Sequence, residues 1–355
     1  MIMNNKMVKA ECLLDYCASL FEKVGVPRDE SYINAENLVD ADLTGVESHG
    51  VSRMPIYLKR IRMNAVNPRC TLRTVSESPS TAVIDACNSM GAVVGVKTME
   101  LAIEKAKKTG ISFIVVKNSN HYGTAAYHAK IALKHNMIGF TATNGAARMA
   151  PWGGKDPFFG TNPFAVAVPA GKHLPIIADM ATSVVALGKI ILAAKKNLPI
   201  PLGWALNKFG EETTNPKEVF DGKVIGTPLP FGGPKGSAIA LLIDVLTGIL
   251  AGSTFGPQIK DMYADFDQPT TISHLFGAIN VEAFVPVSQF TSSIDELITM
   301  VKQVSPAKGV DEIFLPGEIE LRKKEKRLAE GIPISEAVLE DLRKEGELCR
   351  VECNL

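Results

Sequence analysis

The residues best suited to proton transfer in this sequence are its histidines, six in number: His49, His121, His128, His135, His173 and His274. One of them has an arginine nearby, in Ser48-His49-Gly50-Val51-Ser52-Arg53. Histidine exchanges a proton near neutral pH. Reduction of a 2-oxo acid needs such a donor beside the carbonyl oxygen as hydride reaches carbon. It also needs a fixed cation for the carboxylate, and arginine offers two parallel donors. The four-residue separation is about one helical turn, so one pocket could receive both side chains. The same residues also fit a plain helix terminus, with His49 against the dipole and Arg53 in solvent. On residues alone both readings stand.

His121, His128 and His135 are spaced by seven. On one helix they would share a face, but seven residues rise roughly 10.5 Å, too far for two of them to ligate one ion. No metal site is expected, and His128 and His135 read as surface or packing residues. His121 lies in Lys117-Asn-Ser-Asn-His-Tyr-Gly-Thr-Ala125, between a strand and a helix. Ser119 and Asn120 are good helix caps, and Gly123 lets a ligand approach the backbone. A helix N-terminus there could receive a phosphate, or the stretch could be an ordinary strand-to-helix turn. Asp179 closes a predicted strand, Leu174 to Asp179. It could orient a histidine, bind ribose hydroxyls, or cap a helix from Ala181 onward. Gly232-Gly-Pro-Lys-Gly236 resembles an anion-binding turn.

These groups must be positioned by an α/β framework. The spacing of Ala10, Leu13, Leu14, Cys17, Phe21 and Val24 predicts a first helix that stops at Gly25. A second runs from Asp29 or Ser31 to about Thr44, and Pro55 opens a third. After Pro79 strands and helices alternate: strands at 81–85, 111–116, 138–143, 164–168 and 176–177, helices at 95–108 and 124–135. Residues 236–250 read as a buried helix, and 286–301 and 319–349 as helices with charged faces. Residues 198–223 read as a long loop or lid.

Several classes are excluded or demoted. There is no G-x-G-x-x-G, no Walker A sequence, no H-E-x-x-H and no G-x-S-x-G. Thirty-eight basic and thirty-eight acidic residues cancel, so no one-sign field would attract nucleic acid or an anionic membrane. The longest apolar stretch, 238–250, is shorter than the ~20 residues a bilayer span needs. No cysteine pair has C-x-x-C spacing and no signal peptide is apparent. Reduced thiols and a cytoplasmic location are therefore expected.

Six stretches, in order along the chain, resemble the type-2 malate/L-lactate dehydrogenase family. They are Glu47-Ser-His-Gly-Val-Ser-Arg53, Asn118-Ser-Asn-His-Tyr-Gly-Thr124, Gly160-Thr-Asn-Pro-Phe164, Asp179-Met-Ala-Thr182, Gly232-Gly-Pro-Lys-Gly236 and Leu315-Pro-Gly-Glu318. That family also includes sulfolactate, ureidoglycolate and diketogulonate enzymes and a cyclic-imine reductase that yields piperidine-2-carboxylate.

The resemblance implies a non-Rossmann NAD(P)-binding α/β fold: a mixed-sheet core over 76–285, with helical parts 1–75 and 286–355 packing together. It implies NAD as cofactor, with NADP as alternative, and a homodimer with its active site near the subunit interface. It implies that Ser48 and His49 belong to the proton-transfer apparatus, with Asp179 as relay and His121 as the rival acid. Arg53, Tyr57 and Thr161 would bind a malate- or lactate-like substrate. His121, Tyr122, Gly123, Thr124, Ala125, Asn144, Asp179, Met180, Ala181, Lys235, His274, Leu275 and Phe276 would contact the cofactor. Ureidoglycolate or a cyclic imine is the alternative substrate. Glycine at Gly145, where the family would place a serine, and a stretch 181–228 that reads as short motivate a third reading, a nucleotide-binding relative without activity.

Overall fold

Residues 5–355 are described by a computed structural model. The chain enters as β1 (Asn5–Val8) and α1 (Ala10–Lys23), which buries Leu13, Cys17, Leu20 and Phe21. Their spacing is that of one helical stripe. α2 (Arg28–Thr44) follows Pro27 and ends at Gly45 in the left-handed conformation that closes helices. α3 (Met54–Arg62) has Pro55 in its first turn, where the missing N–H costs nothing.

β2 (Arg73–Glu77) and β3 (Thr81–Asp85) form a hairpin, and α4 (Gly91–Thr109) crosses over to β4 (Ile111–Ser119). α5 (Ala125–Ala129) continues as a tighter turn over Lys130–His135 before β5 (Met137–Thr143). β6 (Phe164–Val168), β7 (Ile176–Met180) and α6 (Leu187–Lys196) follow. The predicted loop 198–223 carries short strands. β8 (Ala205–Leu206) pairs with β11 (Thr227–Pro228), and β9 (Phe220–Asp221) with β10 (Lys223–Val224). A small core of Val185, Ile190, Ile200, Ala205 and Val219 supports them. α7 (Pro234–Asp244) runs on as a wider π-helical turn, Val245–Ile249. β12 (Ile272–Asn280), α8 (Val287–Lys302), α9 (Glu318–Glu330), β13 (Ile332–Ser335) and α10 (Glu336–Cys349) complete the chain.

The main sheet has seven strands in the order β2-β3-β4-β12-β5-β6-β7. Only β3 and β4 run parallel; every other neighbouring pair is antiparallel. This mixed sheet is not the doubly wound parallel fold, in agreement with the missing glycine fingerprint. Its central strand, β12, lies outside the predicted strands. Residues 319–349, read as one helix, are two helices. Gly331 at φ +98° and Pro333 break the run, and β13 between them pairs with β1.

Two large cores result. One gathers α1–α3 with Ile332, Ile334, Leu339 and Leu342. The other packs α4 and α5 on one face of the sheet. Lys324 of α9 fastens to Asp40 of α2 at 2.6 Å. Among the described residues no helix is long and apolar enough to cross a membrane.

Candidate active site

The stretch after α2 is two short 3-10 turns, Glu47–His49 and Val51–Arg53, separated at Gly50. It is not the continuous helical turn that the spacing of His49 and Arg53 predicts. Asp42, buried in the last turn of α2, explains the break. Its Oδ2 accepts from the Val51 N–H at 2.8 Å, and its carboxylate fills the space a Cβ on Gly50 would need. Burial pushes the Asp42 carboxyl up to about 7, against the Val51 hydrogen bond. From α9, Arg327 donates to the Asp42 carbonyl and pairs with Glu47 at 2.8 Å. The turn is thus clamped from the adjoining end of α2 and from α9, about 280 residues away in sequence.

This clamp brings His49 beside His121, with ring centroids 5.4 Å apart and planes 25° apart. Ser48 Oγ lies 3.0 Å from His49 Nδ1. His121 Nδ1 accepts the Gly123 N–H at 3.3 Å and lies 2.6 Å from Tyr57 Oη. A backbone N–H can only donate, so the neutral ring carries its hydrogen on Nε2. Nε2 has no hydrogen-bond partner among the described residues. Burial, and then the Arg53 charge, lower His49 to about 4. The same two causes, followed by His49 and His274, hold His121 well below its ordinary value. Both rings are crowded by protein yet remain half-open to solvent.

Arg53 donates from Nε to the Ser48 carbonyl at 2.6 Å. Its guanidinium lies 5.5 Å from the centre of the Tyr263 ring. Its terminal nitrogens have no partner among the described residues.

Ser119 and Asn120 do not cap α5, whose preceding residue is Thr124. The Asn120 amide instead donates to the Asn88 and Ser89 carbonyls, and its Oδ1 accepts from Thr270, which pins the turn that carries His121. Ser119 Oγ lies 2.9 Å from His274 Nε2. His274, Leu275 and Phe276 are buried side chains of the central strand. His274 also meets Thr143 at 2.8 Å and stacks on the buried Tyr122 ring at 4.6 Å. His128 is equally buried and stacks on Tyr122 at 4.7 Å, whereas His135 is exposed.

Asp179 is the last residue but one of β7, which ends one residue beyond the predicted strand, and no helix starts at Ala181; α6 begins at Leu187. Its Oδ2 accepts the Ala126 N–H at 2.8 Å, at the start of α5. It makes no hydrogen bond to His49 or His121. The surrounding protein raises it to about 6, although one side is open to solvent. Met180, next to it, is also exposed, and Ala181 is half-buried. The Thr161 carbonyl accepts both the N–H and the hydroxyl of Thr182 at 2.8 Å. Asn144 is fully engaged: Oδ1 accepts from Ser273 N and Nδ2 donates to the Thr254 carbonyl. Lys235 is exposed at the start of α7, behind Gly232 and Gly233 at φ +55° and +63°.

The family model described as malate/L-lactate dehydrogenase matches residues 8–343. This chain belongs to that family. An L-sulfolactate dehydrogenase of Methanocaldococcus jannaschii is 42% identical over 93% of this chain and 92% of that protein. A malate dehydrogenase of Pyrococcus horikoshii is 40% identical over 97% of this chain and 96% of its own length. The solved structure of a sulfolactate dehydrogenase from Methanocaldococcus jannaschii superposes with a TM-score of 0.92 at 40% identity, covering 98% of both chains. The chain is therefore an oxidoreductase acting on the CH–OH group of 2-hydroxy acids, and the family implies a nicotinamide cofactor.

The residues fit such a group. Lys235 has no ion pair or hydrogen bond from its Nζ among the described residues, leaving a free cation at a glycine turn. Beside Asn144, a Cβ added at Gly145 would meet no atom within 4 Å. Three residues outside the predicted site take part in this arrangement: Asp42, Tyr263 beside Arg53, and Arg60, whose guanidinium donates to the Met262, Asp265 and Gln268 carbonyls around Tyr263. Asp42 carries a weak sequence signal, an acidic residue in a helix's last turn, where the dipole disfavours it. Arg60 and Tyr263 carry none.

Proposed function

We propose that this chain interconverts malate or 3-sulfolactate with the corresponding 2-oxo acid, using NAD or NADP. The observation that carries this reading is the stacked His49–His121 pair beside the unpartnered guanidinium nitrogens of Arg53. Relatives named for malate and for sulfolactate support the substrate class, since both acids carry a second anionic group.

In the reductive direction Arg53 holds the substrate carboxylate. His121 donates from Nε2 to the carbonyl oxygen and stabilises the charge that develops there. His49 exchanges the proton. Its Nδ1 faces a hydroxyl that can donate or accept, so Ser48 supports either protonation state. His121, with an N–H aimed at its Nδ1, is held in one state. Asp179 binds ribose hydroxyls and serves no relay, and Lys235 pairs with a phosphate. When bound, the nicotinamide supplies or accepts the hydride.

The same reading includes a homodimer. Leu241, Leu242, Val245, Leu246, Ile249 and Leu250 form a continuous exposed apolar face on α7 and its π-helical extension, a surface water disfavours. Lys235 lies in the first turn of the same helix, which supports a cofactor site near that face.

The deciding experiment is a substrate panel with both NADH and NADPH: oxaloacetate, 3-sulfopyruvate, pyruvate, the oxidised form of ureidoglycolate and the cyclic imine piperideine-2-carboxylate. Highest kcat/KM on oxaloacetate or 3-sulfopyruvate is expected. His49→Ala and His121→Ala should each lower kcat by about 10²–10⁴-fold. Preference for the imine, or near-wild-type turnover in His49→Ala, overturns the assignment.

A further inference from the structure

The loop from Asp261 to Gln268 is anchored by three cations. Arg60 of α3 is 2% exposed, and its guanidinium donates to the carbonyls of Met262 at 3.2 Å, Asp265 at 2.8 Å and Gln268 at 3.0 Å. A buried guanidinium is costly unless its donors are met. Here one loop meets most of them, so loop and arginine depend on each other. Arg148 pairs with Asp261 at 2.6 Å, and Lys59 Nζ stands 3.9 Å from the centre of the Phe266 ring. Inside the loop, Asp261 accepts the Tyr263 N–H at 2.9 Å. Met262 and Arg60 line a cavity of about 20 Å³ together with Tyr57 and His121.

This anchored loop presents the half-exposed ring of Tyr263 to Arg53, 5.5 Å from centroid to Cζ. The Ser48 carbonyl holds Arg53 at Nε. One edge and one neighbouring ring thus fix the guanidinium, and its two terminal nitrogens stay free for a carboxylate. We infer that Tyr263 is a positioning residue for substrate binding: it orients Arg53, and buried Arg60 fixes the loop that carries it. The inference rests on Arg53 being the carboxylate clamp.

The test compares Tyr263→Leu, Tyr263→Phe and Arg53→Ala, with the 2-oxo acid of highest turnover from the panel. Dinucleotide affinity is measured separately by fluorescence. Tyr263→Leu should raise KM for the acid by about three- to tenfold and leave kcat within about twofold. Tyr263→Phe, which keeps the ring, should behave as wild type, and dinucleotide affinity should be unchanged in both. An unaltered KM in Tyr263→Leu while Arg53→Ala raises it overturns the inference and leaves the clamp standing. An unaltered KM in Arg53→Ala overturns the clamp, and the inference with it. Equal losses in the Phe and Leu variants, or weakened dinucleotide binding in Tyr263→Leu, also overturn the role of the ring.

Discussion

Tyr57 Oη lies 2.6 Å from His121 Nδ1, although 64 residues separate them in sequence. The Gly123 N–H reaches the same nitrogen, so two donors converge on one acceptor and leave Nε2 as the outward hydrogen. Tyr57→Phe removes the stronger contact. It should cost about 1 kcal/mol of stability and lower kcat by roughly three- to tenfold, with dinucleotide affinity unchanged. Urea unfolding and steady-state kinetics on the same preparation check both. Wild-type kcat would show that the phenol plays no part in fixing the ring.

Gly50 and Gly145 should respond in opposite ways to a side chain. A Cβ at Gly50 overlaps the Asp42 carboxylate, whereas one at Gly145 meets nothing within 4 Å. Gly50→Ala should destabilise by about 1–3 kcal/mol, the cost of overpacking, and reduce activity by shifting His49 and Arg53. Gly145→Ser should fold with wild-type stability. Denaturant midpoints of the two variants, compared at one pH, test the contrast.

Acid should weaken the fold through its buried histidines. Burial is the main cause that lowers His128 to about 4 and His274 to about 3. An unfolded histidine titrates near 6.5. Between roughly pH 6.5 and 4 the unfolded chain therefore binds protons that the folded chain refuses. The stability from these neutral rings is fully present above that window and is lost as pH falls through it. The slope is at most about 1.4 kcal/mol per pH unit for each ring. His128→Gln should flatten the unfolding free energy against pH across this range. The Tyr122 carbonyl would still be met by Asn37. A slope identical to wild type would remove His128 from the account.

Lys235 should act on the dinucleotide alone. Lys235→Ala is expected to weaken NADH or NADPH binding about tenfold, the worth of one charge-assisted contact. The wild-type affinity should fall with added salt more steeply than that of the variant. KM for the 2-oxo acid should stay within about twofold. Fluorescence titration at two ionic strengths gives the answer.

The local pattern of the sequence determined much of the framework. Apolar spacing gave α1 and the β-branched run gave β4, because each element's own residues set its periodicity. Six short stretches in order pointed to the family, and Ser48-His49-x-x-x-Arg53 to the chemistry. Tertiary structure alone placed β12 at the sheet's centre: its register is set by β4 and β5, more than 100 residues upstream. Gly331 and Pro333 were visible as helix breakers, yet only pairing with β1 made the residues around them a strand. Stacking His49 on His121, bringing the Tyr57 hydroxyl to His121 Nδ1 and buttressing Arg53 with a loop tied to Arg60 across as many as 208 residues are all long-range contacts. Periodicity carries no information at that range. The sequence set which residues could do the chemistry, and the packing of remote segments decided which of them meet.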